Sequence, residues 1–178
     1  MLLAIDVHYK ATIAKTVAIE FDHWQADTCS RIIELELPIN EVGEYVPGEF
    51  YKRELPCIQK ILSKVNMKDL EVIIVDGYVR LNQAGKKGLG AYLYEAIHKT
   101  IPVIGLAKRN FNQADDQRIP ILRGKSQNPL FVTSIGIDVQ QAAQHIQNMK
   151  GNYRMPDLFR LLDQKTKENE SISNKPVK

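Results

Sequence analysis

Three carboxylates and a lysine carry the first chemical signal in this sequence. Asp6 lies between Ile5 and Val7 inside a short apolar run, and Asp76 closes LEVIIVD, the most apolar run of the chain. A carboxylate at the end of a buried strand is costly unless a positive charge meets it. Singly, each aspartate has an ordinary explanation. Asp76-Gly77 reads as a turn in which Gly77 supplies a positive φ, and Asp6 reads as an edge position facing water. As a pair they say more. If the two strands lie side by side, their carboxylates converge, and gathered carboxylate oxygens with open positions suit Mg²⁺ or Mn²⁺. Two such ions ~4 Å apart activate water and stabilise a leaving oxygen in phosphodiester hydrolysis. Glu54, near the apolar side of a neighbouring helix, is a natural third ligand. Asp138 precedes a helix and is a fourth candidate, although an aspartate there is also what an N-cap requires. Lys108 follows the strand PVIGLA, where it can hold a non-bridging phosphate oxygen or assist proton transfer, or simply stand solvated. His8 shares the strand face of Asp6 and reads as a polar neighbour more than a ligand.

The elements that must position these groups follow from periodicity. Residues 2–7, 12–21 and 30–37 read as strands joined by short connections, an antiparallel meander. Pro47 suits the first turn of a helix covering 48–65, with Pro56 bending it or marking its true start. Residues 70–76 and 101–107 are continuously apolar, as in central strands covered on both faces. Residues 88–99 form a helix between them, 130–135 another strand, and 139–149 and 156–167 further helices. The order β-β-β-α-β-α-β, followed by helices, gives an α/β fold with a mixed sheet and helices on both faces, as in the ribonuclease H-like fold. Residues 1–167 form one domain. The stretch 168–178 is polar and aperiodic and is expected to be a disordered tail.

Bulk properties narrow the class. With 178 residues and 44% hydrophobic content the chain can bury a sizeable core. A net charge of +3 is compatible with a nucleic-acid partner without requiring one. Cys29 and Cys57 belong to no CxxC or Cys/His cluster, which argues against zinc and for reduced, buried thiols in a cytoplasmic protein. No run approaches ~20 apolar residues, so no membrane span is expected.

Several blocks, in order, resemble the endonuclease V family of repair nucleases. AIDVHY is similar to its first-strand GxDxxY, and YVPGEFYKRELP to its YxPGxxxxRExP. VDG resembles its DG strand end, PVIGLAKR its PxIGVAK, and NPLF and YRMPDLFRLLD its C-terminal segments. The resemblance runs from about residue 2 to 165. It implies that Asp6, Glu54 and Asp76 are metal-binding catalytic acids and that Lys108 is the accompanying lysine. It likewise implies that Tyr45, Val46 and Pro47 form a wedge between strands and that Gly48 and Gly77 lie near an extruded base. An uncharged aromatic tip stiffened by proline is what insertion into a base stack requires. Two departures bear on specificity. The family's DGxGxxHPR segment appears as Asp76-Gly77-Tyr78-Val79-Arg80-Leu81-Asn82-Gln83, without His-Pro-Arg, and its Gly-His is replaced by Gly136-Ile137-Asp138.

The function implied is a Mg²⁺-dependent endonuclease, with Mn²⁺ a plausible substitute. It would hydrolyse a phosphodiester near deoxyinosine or another deaminated base in DNA, with inosine in RNA as a further substrate, and act as a monomer. Lys52, Arg53, Arg80, Lys86, Lys87 and Arg109 are candidates for backbone contacts. The competing readings are a nuclease of the same fold acting on RNA or on mismatched or branched DNA, and a nucleic-acid-binding relative without turnover.

Overall fold

The computed structural model describes residues 1–82, 84–111 and 118–168; Gln83 and the expected tail from residue 169 lie outside the described residues. Among the described residues seven strands form one mixed sheet. They are β1 (Leu2–Tyr9), β2 (Ile13–Phe21), β3 (Arg31–Pro38), β4 (Val72–Asp76), β5 (Val103–Ala107), β6 (Ile119–Ile121) and β7 (Leu130–Ile135), in the spatial order β3-β2-β1-β4-β5-β7-β6. The first three make the expected antiparallel meander. β1 then pairs parallel with β4, and β4 parallel with β5. The α-helices among the described residues are α1 (Tyr51–Leu62), α2 (Leu89–Ala96), α3 (Val139–Gln147) and α4 (Asp157–Lys167).

Alternation along β1 divides the core in two. Leu3 and Ile5 face α1 and α2, packing with Ile58, Ile61 and Leu93. Leu2 and Ala4 face α3 and α4, packing with Ala142, Ile146, Leu158 and Leu162. The central strands β4 and β5 are buried on both faces, as their unbroken apolar runs predict.

The helix boundaries differ from expectation in one instructive place. Pro47 does not open α1. It sits in a turn closed by Glu49 N–H donating to Val46 C=O at 3.0 Å, and the helix begins at Tyr51. Pro56 lies inside the helix without marking its start. It is exposed and sits sixth in a twelve-residue helix, where it forgoes the bond that an N–H would make to the Lys52 carbonyl. Strand β6, three residues with a central proline, carries no legible pattern in sequence. Cys57 is buried as expected, whereas Cys29 is only half-buried.

The segment after β4 folds back across β5, and this requires thin backbone. A Cβ on Gly105 would stand 2.5 Å from the Gly77 carbonyl oxygen and 2.7 Å from Thr133 Oγ1. Gly88 and Gly90 are closed off in the same way by Tyr78 and Val79. Val79 N–H donates to Thr133 Oγ1 at 3.0 Å, tying the returning segment to β7. Gly105→Ala is therefore expected to lower Tm by roughly 3–10 °C, as overpacking at rigid backbone does. A thermal melt indistinguishable from wild type would show that the segment yields instead.

Candidate active site

The parallel register of β1 and β4 sets the site. Ile5 lies opposite Val75, so the next residues, Asp6 and Asp76, leave the sheet level with each other. Asp76 is in turn paired with Leu106 of β5, which places Lys108 just past the same end of the sheet. Glu54 arrives from α1. It stands one turn before buried Ile58, half-buried on the core side of that helix. Thus Asp6, Glu54, Asp76 and Lys108 are brought to one place.

Asp163 on α4 joins them. With Asp6, Asp76 and Lys108 it lines a small cleft walled by Phe159 and Leu162, with about 20 Å³ of free space. That is room for an ion or a water rather than an organic ligand. Lys108 Nζ lies 4.0 Å from Asp163 Oδ1, and Lys167 Nζ 2.9 Å from its Oδ2. Asp138 does not belong to the group. β7 runs antiparallel to β5, with Ile135 opposite Val103, so the chain leaving β7 emerges at the opposite edge of the sheet from Lys108. There Asp138 caps α3, its Oδ2 accepting from Gln141 N–H at 3.0 Å. His8 is half-buried on β1 opposite Lys15.

Asp163 was missed because it reads as part of an amphipathic helix. Its signal was nonetheless present. It falls one turn after buried Phe159 and three residues before buried Thr166, inside the apolar stripe. That is the same anomaly that singles out Glu54.

The electrostatics report the crowding. Burial, then the Asp76 charge, pushes the Asp6 carboxyl up to about 7. Burial, then Asp76 and Asp6, pushes Glu54 up to about 8. Asp76 is also raised by desolvation while Lys108 pulls it down; it is the most solvent-open of the three, so screening softens its shift. Asp76 thus raises the proton affinity of both Asp6 and Glu54, and Lys108 offsets only part of the negative charge. Among the described residues no three or more His, Cys, Asp or Glu side chains close into a ready ligand shell. The arrangement is open. Hard carboxylate oxygens around an ion-sized space fit a divalent cation that keeps part of its water shell.

A second cavity adjoins the acids. It encloses about 420 Å³, and Glu54 and Asp76 form one wall. Tyr51, Tyr78, Phe111 and Leu81 give it flat and apolar sides, and Gly48 and Gly77 lie at its edge. Gly48 (φ +80°) and Gly77 (φ +119°) both hold backbone conformations that disfavour other residues. Tyr78 is fixed there. Its hydroxyl donates to Arg109 C=O at 2.6 Å and accepts from Phe111 N–H at 3.2 Å.

Beside this cavity the turn 45–48 projects outward. Tyr45 is 56% exposed and Phe50 58%, with their ring centroids 5.9 Å apart. Val46 is half-buried and Pro47 exposed. The Arg53 guanidinium carbon lies 4.4 Å from the Tyr9 ring and 5.8 Å from the Tyr45 ring. Arg53 therefore braces the aromatic tip against the strand that carries Asp6. Of the other basic candidates, Lys52 pairs with Glu49 and Lys87 with Glu95.

The endonuclease V family model matches residues 1–164. The chain belongs to the endonuclease V family. Its fold is that of solved endonuclease V structures. One is the Ciona intestinalis enzyme in complex with a 24mer DNA containing an inosine followed by a ribo-adenosine. It superposes with a TM-score of 0.71 at 14% identity, covering 93% of this chain and 83% of that one. The catalytic domain of human endonuclease V gives 0.69 at 18%, covering 93% and 80%. The Streptomyces avermitilis endonuclease V gives 0.68 at 23%, covering 93% and 78%. No curated protein sequence matches the chain. No helix among the described residues is long and apolar enough to cross a membrane.

The shifted acids make a pH signature that can be read without turnover. Above the ordinary values of 3.8 and 4.5, folding retains protons on Asp6 and Glu54 that the unfolded chain releases. Stability of the metal-free protein is therefore expected to fall as pH rises from about 4 to about 8. In thermal melts, Glu54→Gln should flatten that fall, and Mg²⁺ should raise Tm more at the upper end than at the lower. Parallel pH profiles for wild type and Glu54→Gln would show that Glu54 is not a strained acid.

Proposed function

We propose that this endonuclease V family member is a metal-dependent endonuclease that hydrolyses a phosphodiester near a deaminated purine, deoxyinosine in DNA above all. The observation that carries the reading is the adjacency of two cavities: an ion-sized cleft edged by Asp6, Asp76 and Asp163, and a flat-walled pocket that shares Asp76 with it and has Glu54 in its own wall. The Ciona relative bound to inosine-containing DNA points to the same class of substrate.

Asp6, Glu54, Asp76 and Asp163 would hold Mg²⁺, or Mn²⁺ in its place. When bound, the cation supplies Lewis-acid activation of water and charge stabilisation at the leaving oxygen. The chain's own groups do the rest. Lys108 lies at the same cleft and neutralises a non-bridging oxygen of the scissile phosphate. Tyr45, Val46 and Pro47 enter the stack, and Arg53 holds the tip so that little ordering entropy is lost on insertion. The extruded base lies between Tyr51, Tyr78 and Phe111, with Gly48 and Gly77 letting backbone approach it closely. Proton uptake by Asp6 and Glu54 competes with the metal, so activity should rise with pH through the range of about 7 to 8 at which they ionise.

The test is nicking of labelled oligonucleotides carrying inosine, as DNA and as RNA, beside unmodified controls, with and without Mg²⁺. Asp76→Asn and Asp163→Asn are expected to lose roughly 100-fold or more of the rate, as removal of a metal ligand should. Asp138→Asn should keep the rate. Equal nicking of modified and unmodified strands would remove the inosine assignment and leave a nuclease of broader substrate. Metal-independent nicking would remove the acid centre from the chemistry.

The wedge is tested separately. Tyr45→Ala should weaken binding to lesion-containing duplex more than to single-stranded inosine oligonucleotide, because only the duplex must be unstacked. Equal losses on both would assign Tyr45 to general binding.

A further inference from the structure

The acid centre has a cavity on each side, and the proposed function uses only one. The other is a cleft of about 720 Å³ that runs from Lys108 and Asp163 along α4 to Tyr153 and Arg160. We propose that this cleft is a second nucleic-acid subsite, which grips the single strand continuing past the reacting phosphate on the side away from the base pocket. The proposal rests on the nuclease reading for the placement of that phosphate.

Its far end is an aromatic platform. Tyr153 is 59% exposed, and the Arg160 guanidinium carbon lies 4.1 Å from its ring centroid. Arg160 also pairs with Asp157 at 3.8 Å, an exposed contact that a phosphate can outcompete. A ring beside a planar cation is the pairing that single-strand binders use: the ring stacks a base of any identity, and the cation meets the backbone.

The loop carrying Tyr153 is unusually well fixed. Arg123 is only 4% exposed, and its guanidinium donates to the carbonyls of Tyr153 (2.7 Å), Met149 (2.6 Å) and Gly151 (3.3 Å). The next residue, Arg154, donates to Pro129 C=O at 2.8 Å and to Lys108 C=O. Gly124 packs so tightly beneath that a Cβ there would reach 2.2 Å from the Asn152 carbonyl oxygen. Burying a guanidinium is costly unless its donors are satisfied. Here they are spent on backbone carbonyls of the loop that displays an exposed ring. A pre-set ring loses little entropy on stacking a base. Arg154 further ties that loop to Lys108, so platform and phosphate-neutralising lysine keep a constant separation.

Continuity with the acid centre names the occupant. Lys108 and Asp163 line both this cleft and the ion-sized one. A strand with its base in the pocket beside Glu54 and Asp76 crosses the acids at its phosphate and then meets Tyr153.

The experiment measures fluorescence anisotropy of inosine oligonucleotides, with Ca²⁺ replacing Mg²⁺ to slow turnover. Two series are extended stepwise, one on the 5′ side of the inosine and one on the 3′ side. Wild type is expected to bind more tightly as either series lengthens. Tyr153→Ala should abolish the gain in one series only, a loss of about 5- to 100-fold at full length. Tyr153→Phe should restore it, which separates loss of stacking from loss of fold. If Tyr153→Ala tracks wild type in both series, the subsite does not exist. If wild type shows the expected pattern but never nicks with Mg²⁺, the subsite stands and the nuclease reading falls.

Discussion

The rest of the structure answers to the gathering of negative charge at one end of the sheet. Burial above all raises the proton affinity of Asp6, Glu54 and Asp76; Asp76 adds to the shift of Asp6, and Asp76 and Asp6 add to that of Glu54, as expected of carboxylates held together away from water. A loose frame would relieve that repulsion by letting them part. The frame here does not, because β1 and β4 pair in register through Leu2–Val72 to Ile5–Val75 and are buried on both faces up to the acids. Asp6 is further restrained by Val7 N–H, which donates to its Oδ1 at 2.9 Å. The two-sided core and the strained site are the same design seen from opposite ends of two strands.

The second requirement is proximity between the acids and a pocket large enough for a planar ligand. That depends on the absence of side chains. The segment after Asp76 can lie flat on β5 only because Gly105, Gly88 and Gly90 leave room for backbone. Gly77 N–H donates to Leu106 C=O at 3.0 Å, and Val79 is anchored on Thr133. The wall formed by Tyr78 then stands next to Asp76 rather than a strand width away. The departure from the DGxGxxHPR pattern, which lacks His-Pro-Arg here, changes the side chains of this segment, of which Tyr78, Leu81 and Asn82 line the pocket, while leaving its placement intact. Placement comes from glycines and registers, and selectivity from the side chains between them.

These two constraints explain what sequence could disclose. Continuous apolar runs announced β4 and β5, and an aspartate ending one of them announced the site. Glu54 stood out because a carboxylate on an apolar helical face has no cheap local explanation. Asp138 misled for a complementary reason. A strand's pattern reveals that it is a strand but not which way it runs beside its partner, and the antiparallel course of β7 carries Asp138 to the wrong edge. Asp163 was masked by a strong helical period, since Leu158, Phe159 and Leu162 explain that segment without it. Pro47 carries a turn signal that a helix start shares, and here it belongs to the turn before Tyr51. Strand β6 pairs with β7 over too few residues for any pattern to emerge.

Charge balance gives the last link between fold and chemistry. The chain as a whole is positive, +3, yet its centre collects four carboxylates against Lys108 and the Lys167 that engages Asp163. A phosphodiester drawn in by the global charge would meet a locally repulsive field. Partial protonation of Asp6 and Glu54 near neutral pH lowers that repulsion but leaves fewer oxygens free as ligands. A divalent cation would resolve the conflict, because it would offset the repulsion between the acids and present positive charge to a phosphate. Its affinity would then draw on the same repulsion that proton uptake by Asp6 and Glu54 relieves in the metal-free fold. The small volume between Asp6, Asp76 and Asp163 adds the size limit, so these carboxylates would suit a compact hard ion.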